Sequence, residues 1–320
     1  MKRLTSHRST SRQSATSGTP HQHAPHHDDH GGLAADLPRL LATMPSRRGV
    51  ITLLAGAGTG LLFGCGGGSD AASSSSSTST GTTGTTTTTT TTGTSGSTSS
   101  TSTVSSCTVI PEETAGPYPG DGSNTSNGSV ANALALSGIV RSDIRSSIGG
   151  ASGVAAGVPL TVKLQVVNTN GSCADLAGYA VYLWHCTRDG LYSMYSSGVT
   201  AENYLRGVQP TDSDGIATFT TIFPGCYAGR VPHIHFEVYR STSTATSFSN
   251  KLKTSQLAFP TDVCNTVYAT SGYSASVRNF ASVSFSTDGI FSDGVSTQLA
   301  TVTGNVTDGY VATLVVGISV

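Results

Sequence analysis

The sequence has few charges, a single tryptophan and no apolar run of membrane-spanning length. Charged residues make up 11% of its 320 residues, the formal net charge is −1, and no basic block occurs. Nucleic acid is therefore not expected as a partner, because such ligands need clustered positive charge. The apolar run 50–63 is shorter than the roughly 20 residues of a membrane-spanning helix.

Zinc-type Cys-x-x-Cys pairs are also missing, which argues against a structural zinc site. Of 6 cysteines, those beyond position 106 are Cys107, Cys173, Cys186, Cys226 and Cys264. In an oxidising compartment they should form disulfides where geometry permits, but their odd number leaves at least one unpaired. The sequence does not decide which pairs form.

Residues 44–65 have the features of an export signal. The pair Arg47-Arg48 is typical of a twin-arginine motif, and the apolar run ends in Leu62-Phe63-Gly64-Cys65, which resembles a lipobox. This predicts cleavage before Cys65, a lipidated cysteine, and an exported periplasmic or cell-surface domain tethered to the membrane. An uncleaved signal anchor is the alternative, and it places the domain on the same side.

Residues 66–106 are almost entirely Ser, Thr and Gly. Such a tract cannot bury enough apolar surface to offset the entropy of ordering it, so we expect a disordered, flexible linker. Residues 1–43 are expected to be disordered, or untranslated if synthesis starts at Met44. All 11 tyrosines and Trp184 lie further along, so 107–320 is predicted to be the single globular domain.

The domain consists of short alternating segments separated by turn residues. Residues 160–166 alternate apolar and polar side chains, the period of a half-buried strand. Similar runs occur at 179–184, 216–223, 233–239, 281–285 and 311–318. Because no long segment shows a period of 3.6, we predict an all-β fold, an antiparallel β-sandwich.

His233 and His235 are the most informative histidines, because 6 of the 9 in the chain precede position 44. Residues two apart in a strand project from the same face. The apolar residues between and after them face the other way, so both imidazoles should point away from the core. Two histidines on a solvated strand are the plain alternative, but Tyr227 and Arg230 nearby favour a site.

A tyrosine beside two histidines points to a particular class of metal ion. The phenol has a pKa of about 10, so it is a poor ligand for most divalent ions. A hard ion such as Fe(III) can hold it as phenolate, whereas zinc and copper favour imidazole and thiolate. Tyr227 therefore suggests ferric iron, unless it is simply a loop aromatic at the domain edge.

Several motifs of the domain resemble those of the intradiol ring-cleavage dioxygenases. They are Thr114-Ala115-Gly116-Pro117-Tyr118, Asp189-Gly190-Leu191-Tyr192, the run 205–215, the run 221–227, Arg230-Val231-Pro232-His233-Ile234-His235-Phe236 and Ser255-Gln256-Leu257-Ala258-Phe259-Pro260. The resemblance extends from about position 107 to the C-terminus. It is greatest to the catalytic chain of the protocatechuate 3,4-dioxygenase type and to exported single-domain members.

The resemblance implies one Fe(III) per chain and cleavage of a catechol-type aromatic by O2 to a cis,cis-muconate-type diacid. The implied ligands are Tyr192, Tyr227, His233 and His235. It further implies that Tyr227 takes a substrate proton as a base, that Arg230 supplies positive charge, and that Gln256 hydrogen-bonds the substrate. Arg206 is expected to make structural contacts and Tyr118 to line the pocket. Oligomerisation is left open.

Two other functions compete with this interpretation. One is a catalytically degenerate β-sandwich that binds aromatics or acts as an adhesion module on the cell surface. The other is a different His-x-His metal enzyme such as a cupin, although the cupin's glutamate and second histidine are missing at the expected spacing. The complete set of tyrosines and histidines favours the dioxygenase.

Overall fold

The computed structural model describes residues 107–320. The predictions for 1–43, for the signal at 44–65 and for the linker at 66–106 lie outside the described residues. Within the described part, no helix has both the length and the apolar character needed to cross a membrane.

Eleven strands, two α-helices and three short 3-10 turns make up the described domain. The strands are β1 (Asp121–Ser126), β2 (Ser129–Asn132), β3 (Pro159–Asn168), β4 (Ala174–Asp175), β5 (Ala180–Trp184), β6 (Arg206–Pro210), β7 (Ile216–Ile222), β8 (His233–Tyr239), β9 (Lys253–Ala258), β10 (Thr301–Asn305) and β11 (Gly309–Ile318). The helices are α1 (Thr261–Tyr268) and α2 (Ser274–Ala281), and the 3-10 turns are Thr169–Gly171, Phe248–Asn250 and Phe291–Asp293.

Two sheets form the sandwich, and a hairpin of β1 and β2 stands beside them. One sheet has the order β10-β11-β3-β4 with β7 also paired to β3, and the other has the order β6-β5-β8-β9. The second sheet is antiparallel throughout. The predicted antiparallel β-sandwich is confirmed with one exception, since in the first sheet β11 and β3 run parallel while the other strand pairs are antiparallel.

The main core lies between the sheets. Alternate residues of β3 contribute to it, as the period of two predicts, and they meet Phe219 of β7, Leu183 of β5 and Phe236 of β8. The opposite face of the second sheet is also buried, and Trp184 packs there in a second cluster. Strand β5 is therefore buried on both faces, and so is β8, which carries the two histidines.

Residues 281–285 are not a strand, contrary to the sequence prediction. Helix α2 ends at Ala281 and a turn follows it. In that turn Ser284 accepts the backbone N–H of Asp288 through its carbonyl, and its own N–H donates to the hydroxyl of Thr287. Hydroxyl side chains that bond to nearby backbone compete with a strand ladder, which explains the failure of the alternation as a signal here.

The described cysteines form one disulfide, Cys107–Cys173. The sequence had left open which cysteines pair. Cys186, Cys226 and Cys264 are buried and free. The expectation that at least one cysteine stays unpaired is confirmed, and three of the described cysteines are free.

Candidate active site

Strand β8 places both histidines on the face of the second sheet that lies away from the intersheet core. The predicted parity is confirmed, since Phe236 packs in the main core while the imidazoles face the other side. That side is not solvated, because His233 and His235 are only 1% and 4% exposed. Their Nε2 atoms lie 3.1 Å apart, so the two rings direct their Nε2 atoms towards the same place.

The two tyrosines come from loops at the same end of the sheet. Tyr227 follows β7, and its hydroxyl oxygen lies 3.0 Å from His233 Nε2. Tyr192 follows the turn at Gly190, and its hydroxyl lies 3.5 Å from that of Tyr227. Gly190 has a φ of +83°, and a Cβ there would stand 3.1 Å from Tyr227 Cβ, so glycine allows the two loops to approach.

These four side chains therefore bring their donor atoms into one chain of close contacts. Ligand atoms about 2.1 Å from a metal ion and at right angles to each other are about 3.0 Å apart. The observed steps of 3.5, 3.0 and 3.1 Å match neighbouring ligands of a single ion. The donor set thus fits one metal ion with two oxygen and two nitrogen ligands.

The tyrosines are essential to any such site. Among residues 107–320, no group of three or more His, Cys, Asp or Glu side chains could hold a metal ion. A centre built here would therefore depend on phenolate ligands, and phenolate favours a hard ion of high charge.

Burial sets the protonation states of this donor set. It raises the pKa of the Tyr192 and Tyr227 phenols. It lowers the pKa of His233 and His235 well below the ordinary value, and the charge of Arg230 acts in the same direction. The imidazoles are therefore neutral and free to bind a cation, whereas the phenols would lose their protons only to a strongly charged one.

The orientation of each imidazole is held by its surroundings. His233 Nδ1 lies 2.6 Å from the carbonyl oxygen of Val231, a contact in which Nδ1 carries the proton and Nε2 is left as the acceptor. His235 stacks on Trp184, with ring centroids 4.9 Å apart and an angle of 8° between planes. Neither ring can rotate without losing these contacts.

Residues 114–118, here called the N-terminal strap, lie across the site. A Cβ on Gly116 would stand 3.4 Å from His235 Cε1, and the ring of Tyr118 lies 5.0 Å from that of Tyr192. Tyr118 therefore lies beside the site, and its role in lining a substrate pocket stays a prediction. The strap thus shields the histidines from solvent.

Arg206 holds the strap, in agreement with its expected structural role. It is fully buried, and its guanidinium donates to the carbonyl oxygens of Tyr118 and Pro119 at 3.0 and 2.6 Å. It also donates to the carbonyl oxygen of Ser193, next to Tyr192, at 2.9 Å. One side chain thus fixes the strap relative to the tyrosine loop.

Arg230 and Gln256, both predicted to be site residues, lie in contact beside the histidines. Arg230 donates from Nη2 to Gln256 Oε1 at 2.7 Å, and its Nη1 is 3.4 Å from His233 Nε2. Gln256 in turn donates from Nε2 to the carbonyl oxygen of Thr114 at 3.0 Å. The structure therefore brings together all six predicted site residues.

Asp288 belongs to this group and was missed by the sequence prediction. Its carboxylate pairs with Arg230 Nε at 2.9 Å, and both side chains are almost fully buried. In the sequence, Asp288 was marked only by an Asp-Gly pair in a turn-rich segment, and such a pair does not identify a partner 58 residues away.

His185 is not part of the donor set. Its ring forms hydrogen bonds with the Cys186 carbonyl oxygen and the Thr221 hydroxyl.

One family model and several solved structures are similar to this chain. The family model Dioxygenase_C, described as "Dioxygenase", matches residues 143–289. An intradiol ring-cleavage dioxygenase from Tetranychus urticae is 24% identical with a TM-score of 0.49, over 67% of this chain and 95% of that one.

Two further solved structures are similar at lower scores. The dioxygenase domain of a dioxygenase carbohydrate-binding protein fusion from Streptomyces sp. SirexAA-E is 24% identical with a TM-score of 0.42, over 67% of this chain and 99% of that one. A catechol 1,2-dioxygenase from Pseudomonas arvilla C-1 is 18% identical with a TM-score of 0.38, over 65% of this chain and 62% of that one. No curated protein matches the chain.

Proposed function

We propose that this chain is an intradiol ring-cleavage dioxygenase that cleaves a catechol-type aromatic with O2 to a cis,cis-muconate-type diacid at one ferric ion. The match of the dioxygenase family model to residues 143–289 supports this proposal. The proposed ligands are Tyr192, Tyr227, His233 and His235. The observation that carries the proposal is the chain of close contacts between these four donor atoms, at steps of 3.0 to 3.5 Å, in a site where Tyr192 and both histidines are buried and Tyr227 is half-buried.

When bound, a ferric ion supplies Lewis acidity and favours anionic oxygen ligands. Side chains of the protein would then assist the binding of a catechol by removing its protons. Burial raises the pKa of Tyr227, so its phenolate is a strong base whenever it is not stabilised by positive charge. Tyr227 is therefore proposed to take a proton from a substrate hydroxyl, as a base placed between Tyr192 and His233.

Arg230 is proposed to stabilise negative charge that develops on the substrate. Its Nη atoms face His233 and Gln256 and are held in place before substrate arrives, which is the condition for an effective electrostatic contribution. Gln256 uses both ends of its amide, on Arg230 and on the strap carbonyl of Thr114. Each of these contacts leaves one further position open, an N–H on Nε2 and a lone pair on Oε1. A direct bond from Gln256 to the substrate stays a prediction.

Colour provides the first test. Purified protein supplied with Fe(III) should absorb visible light through tyrosinate-to-iron charge transfer, and anaerobic addition of a catechol should change the spectrum. Tyr192→Phe should lose the colour and the iron, while Tyr179→Phe, on a tyrosine outside the donor set, should keep both. A protein that stays colourless with supplied Fe(III) would contradict the proposal and favour a binding module.

Oxygen consumption provides the second part of the same test. Catechol, protocatechuate, hydroxyquinol and larger plant-derived catechols can be compared with the coloured protein. Uptake of O2 with formation of a diacid is expected for at least one of them. Colour without uptake for any catechol would leave iron binding standing and contradict the catalytic part.

We also propose that the domain is exported and tethered to a membrane through a lipidated Cys65. The support is the signal-like sequence of 44–65, and the disulfide Cys107–Cys173 agrees with it, since such bridges persist in oxidising compartments.

A further inference from the structure

Asp288 is fully buried and accepts hydrogen bonds from two different loops. Arg230 Nε donates to both carboxylate oxygens, at 3.1 and 2.9 Å, and the backbone N–H of Val231 donates to Oδ2 at 2.8 Å. The backbone N–H groups of Ile290 and Phe291 donate to Oδ1 at 2.9 and 3.2 Å. Both carboxylate oxygens therefore accept at least two hydrogen bonds each.

The contact with Nε decides where the rest of the guanidinium points. The group is planar, so holding Nε fixes the directions of Nη1 and Nη2. They face His233 and Gln256, and the ring of Phe291 lies 5.6 Å from Arg230 Cζ. Asp288 and the neighbouring Phe291 thus hold the charged end of Arg230 from two sides.

The same carboxylate also acts on the backbone that orients a histidine. It accepts the N–H of Val231, and the carbonyl oxygen of Val231 lies 2.6 Å from His233 Nδ1. Asp288 therefore fixes a turn that carries both Arg230 and the acceptor for His233.

We propose that Asp288 is a positioning residue for the ring-cleavage reaction, acting through Arg230. This proposal rests on the proposed function, because Arg230, which Asp288 would position, is the residue proposed there to stabilise charge. The competing possibility is that Asp288 only joins the 283–291 segment to the loop before β8.

Asp288→Asn tests the difference because the amide cannot satisfy both groups of donors. Whichever way the amide is turned, its NH2 faces N–H donors, either those of Arg230 and Val231 or those of Ile290 and Phe291. We expect kcat to fall by about 100-fold, the size seen when an oriented donor is removed from an active site. The visible spectrum of the iron-loaded protein should persist, since no ligand is changed.

A double-mutant cycle separates positioning from stability. If Asp288 acts through Arg230, the variant Asp288→Asn/Arg230→Gln should have about the same kcat as Arg230→Gln alone. If the two residues act independently, their effects on kcat should multiply, and that result would overturn the proposal.

A measurement on metal-free protein does not depend on iron, substrate or turnover. In protein labelled with 15N-arginine, the Arg230 Nε–H signal, assigned by its loss in Arg230→Gln, should exchange slowly with water. Asp288→Asn should speed this exchange by at least about 10-fold. Unchanged exchange would refute positioning even in an active enzyme, whereas faster exchange in an inactive protein would count against the proposed function alone.

Tyr273→Phe is the matched control. It removes the buried hydroxyl that accepts the Val158 N–H at 3.0 Å, so it also leaves a buried donor unpaired, but it does not touch Arg230. Exchange at Arg230 and kcat should both stay near wild type. If Asp288→Asn does not fold, Asp288→Glu replaces it: the longer carboxylate keeps the charge and should still speed exchange and lower kcat, and wild-type values for both would contradict the proposal.

Discussion

The disulfide Cys107–Cys173 allows a stability prediction whose size follows from the loop that it closes. The two cysteines are 66 positions apart in the sequence. A cross-link of that span removes about 4 kcal/mol of conformational entropy, expressed as free energy, from the unfolded chain. We expect Cys107→Ser/Cys173→Ser to lower the free energy of unfolding by this amount, which lowers the urea midpoint by about 1.3 M for an m value of about 3 kcal/mol/M.

Urea unfolding of the metal-free protein, followed by fluorescence of the single tryptophan, measures this shift. Trp184 is fully buried and stacked on His235, so its emission should report loss of the site together with loss of the fold. Wild-type protein in a reductant is the control and should match the double variant, because the other three described cysteines are already free. A shift below about 0.4 M, with the bridge shown to be formed by thiol titration, would refute the chain-entropy argument.

The folded site should survive loss of the bridge. The segment between Cys107 and the N-terminal strap is also held by hydrogen bonds from Ile110 N–H to the Gly317 carbonyl and from Glu113 N–H to the Thr254 carbonyl, both 2.9 Å. Iron-dependent colour in the double serine variant should therefore match wild type in the absence of urea. Loss of colour without unfolding would mean that the bridge itself positions the strap.

Two further predictions concern pH and location. Burial lowers the pKa of His185 to about 4, so between about pH 6.5 and 4 the unfolded chain binds a proton that the folded one does not, and stability falls as pH falls. The stability advantage of wild type over His185→Gln should thus shrink by about 2 kcal/mol from pH 7 to pH 5 in urea unfolding, and a constant difference would contradict this. Cys65→Ser should move the protein from the membrane fraction to the soluble exported fraction, whereas retention in the membrane would favour an uncleaved anchor.

The strand that carries the histidines was predictable because its signal is local. In His233–Tyr239 the side chains alternate, and a period of two fixes which residues share a face. The sequence could not show that the histidine face is buried as well. That burial comes from Trp184 on the next strand and from the N-terminal strap, and contacts at such distances along the chain leave no periodic pattern.

The prediction that these four ligands lie together came from the resemblance to a known family and not from a sequence pattern. Tyr192 and Tyr227 lie in irregular loops, 35 positions apart, where neither periodicity nor propensity predicts a contact. At residues 281–285 a local pattern was misleading. The alternation of side chains predicted a strand, but hydrogen bonds between hydroxyl groups and nearby backbone form a turn there. Local rules therefore worked where the backbone is regular and failed where side chains direct it.

Asp288 shows why an oriented charge beside a buried site needs a partner that sequence reasoning does not supply. A lone buried guanidinium would be costly, and a carboxylate at 2.9 Å offsets that cost. The pair is neutral as a whole, so its long-range field is small and its effect on a bound substrate must be local. Since Asp288 occupies the Nε side, the donors left for the site are on Nη1 and Nη2. Arg230 should therefore act through directed hydrogen bonds more than through net charge, which is why its contribution should depend on Asp288 holding it in place.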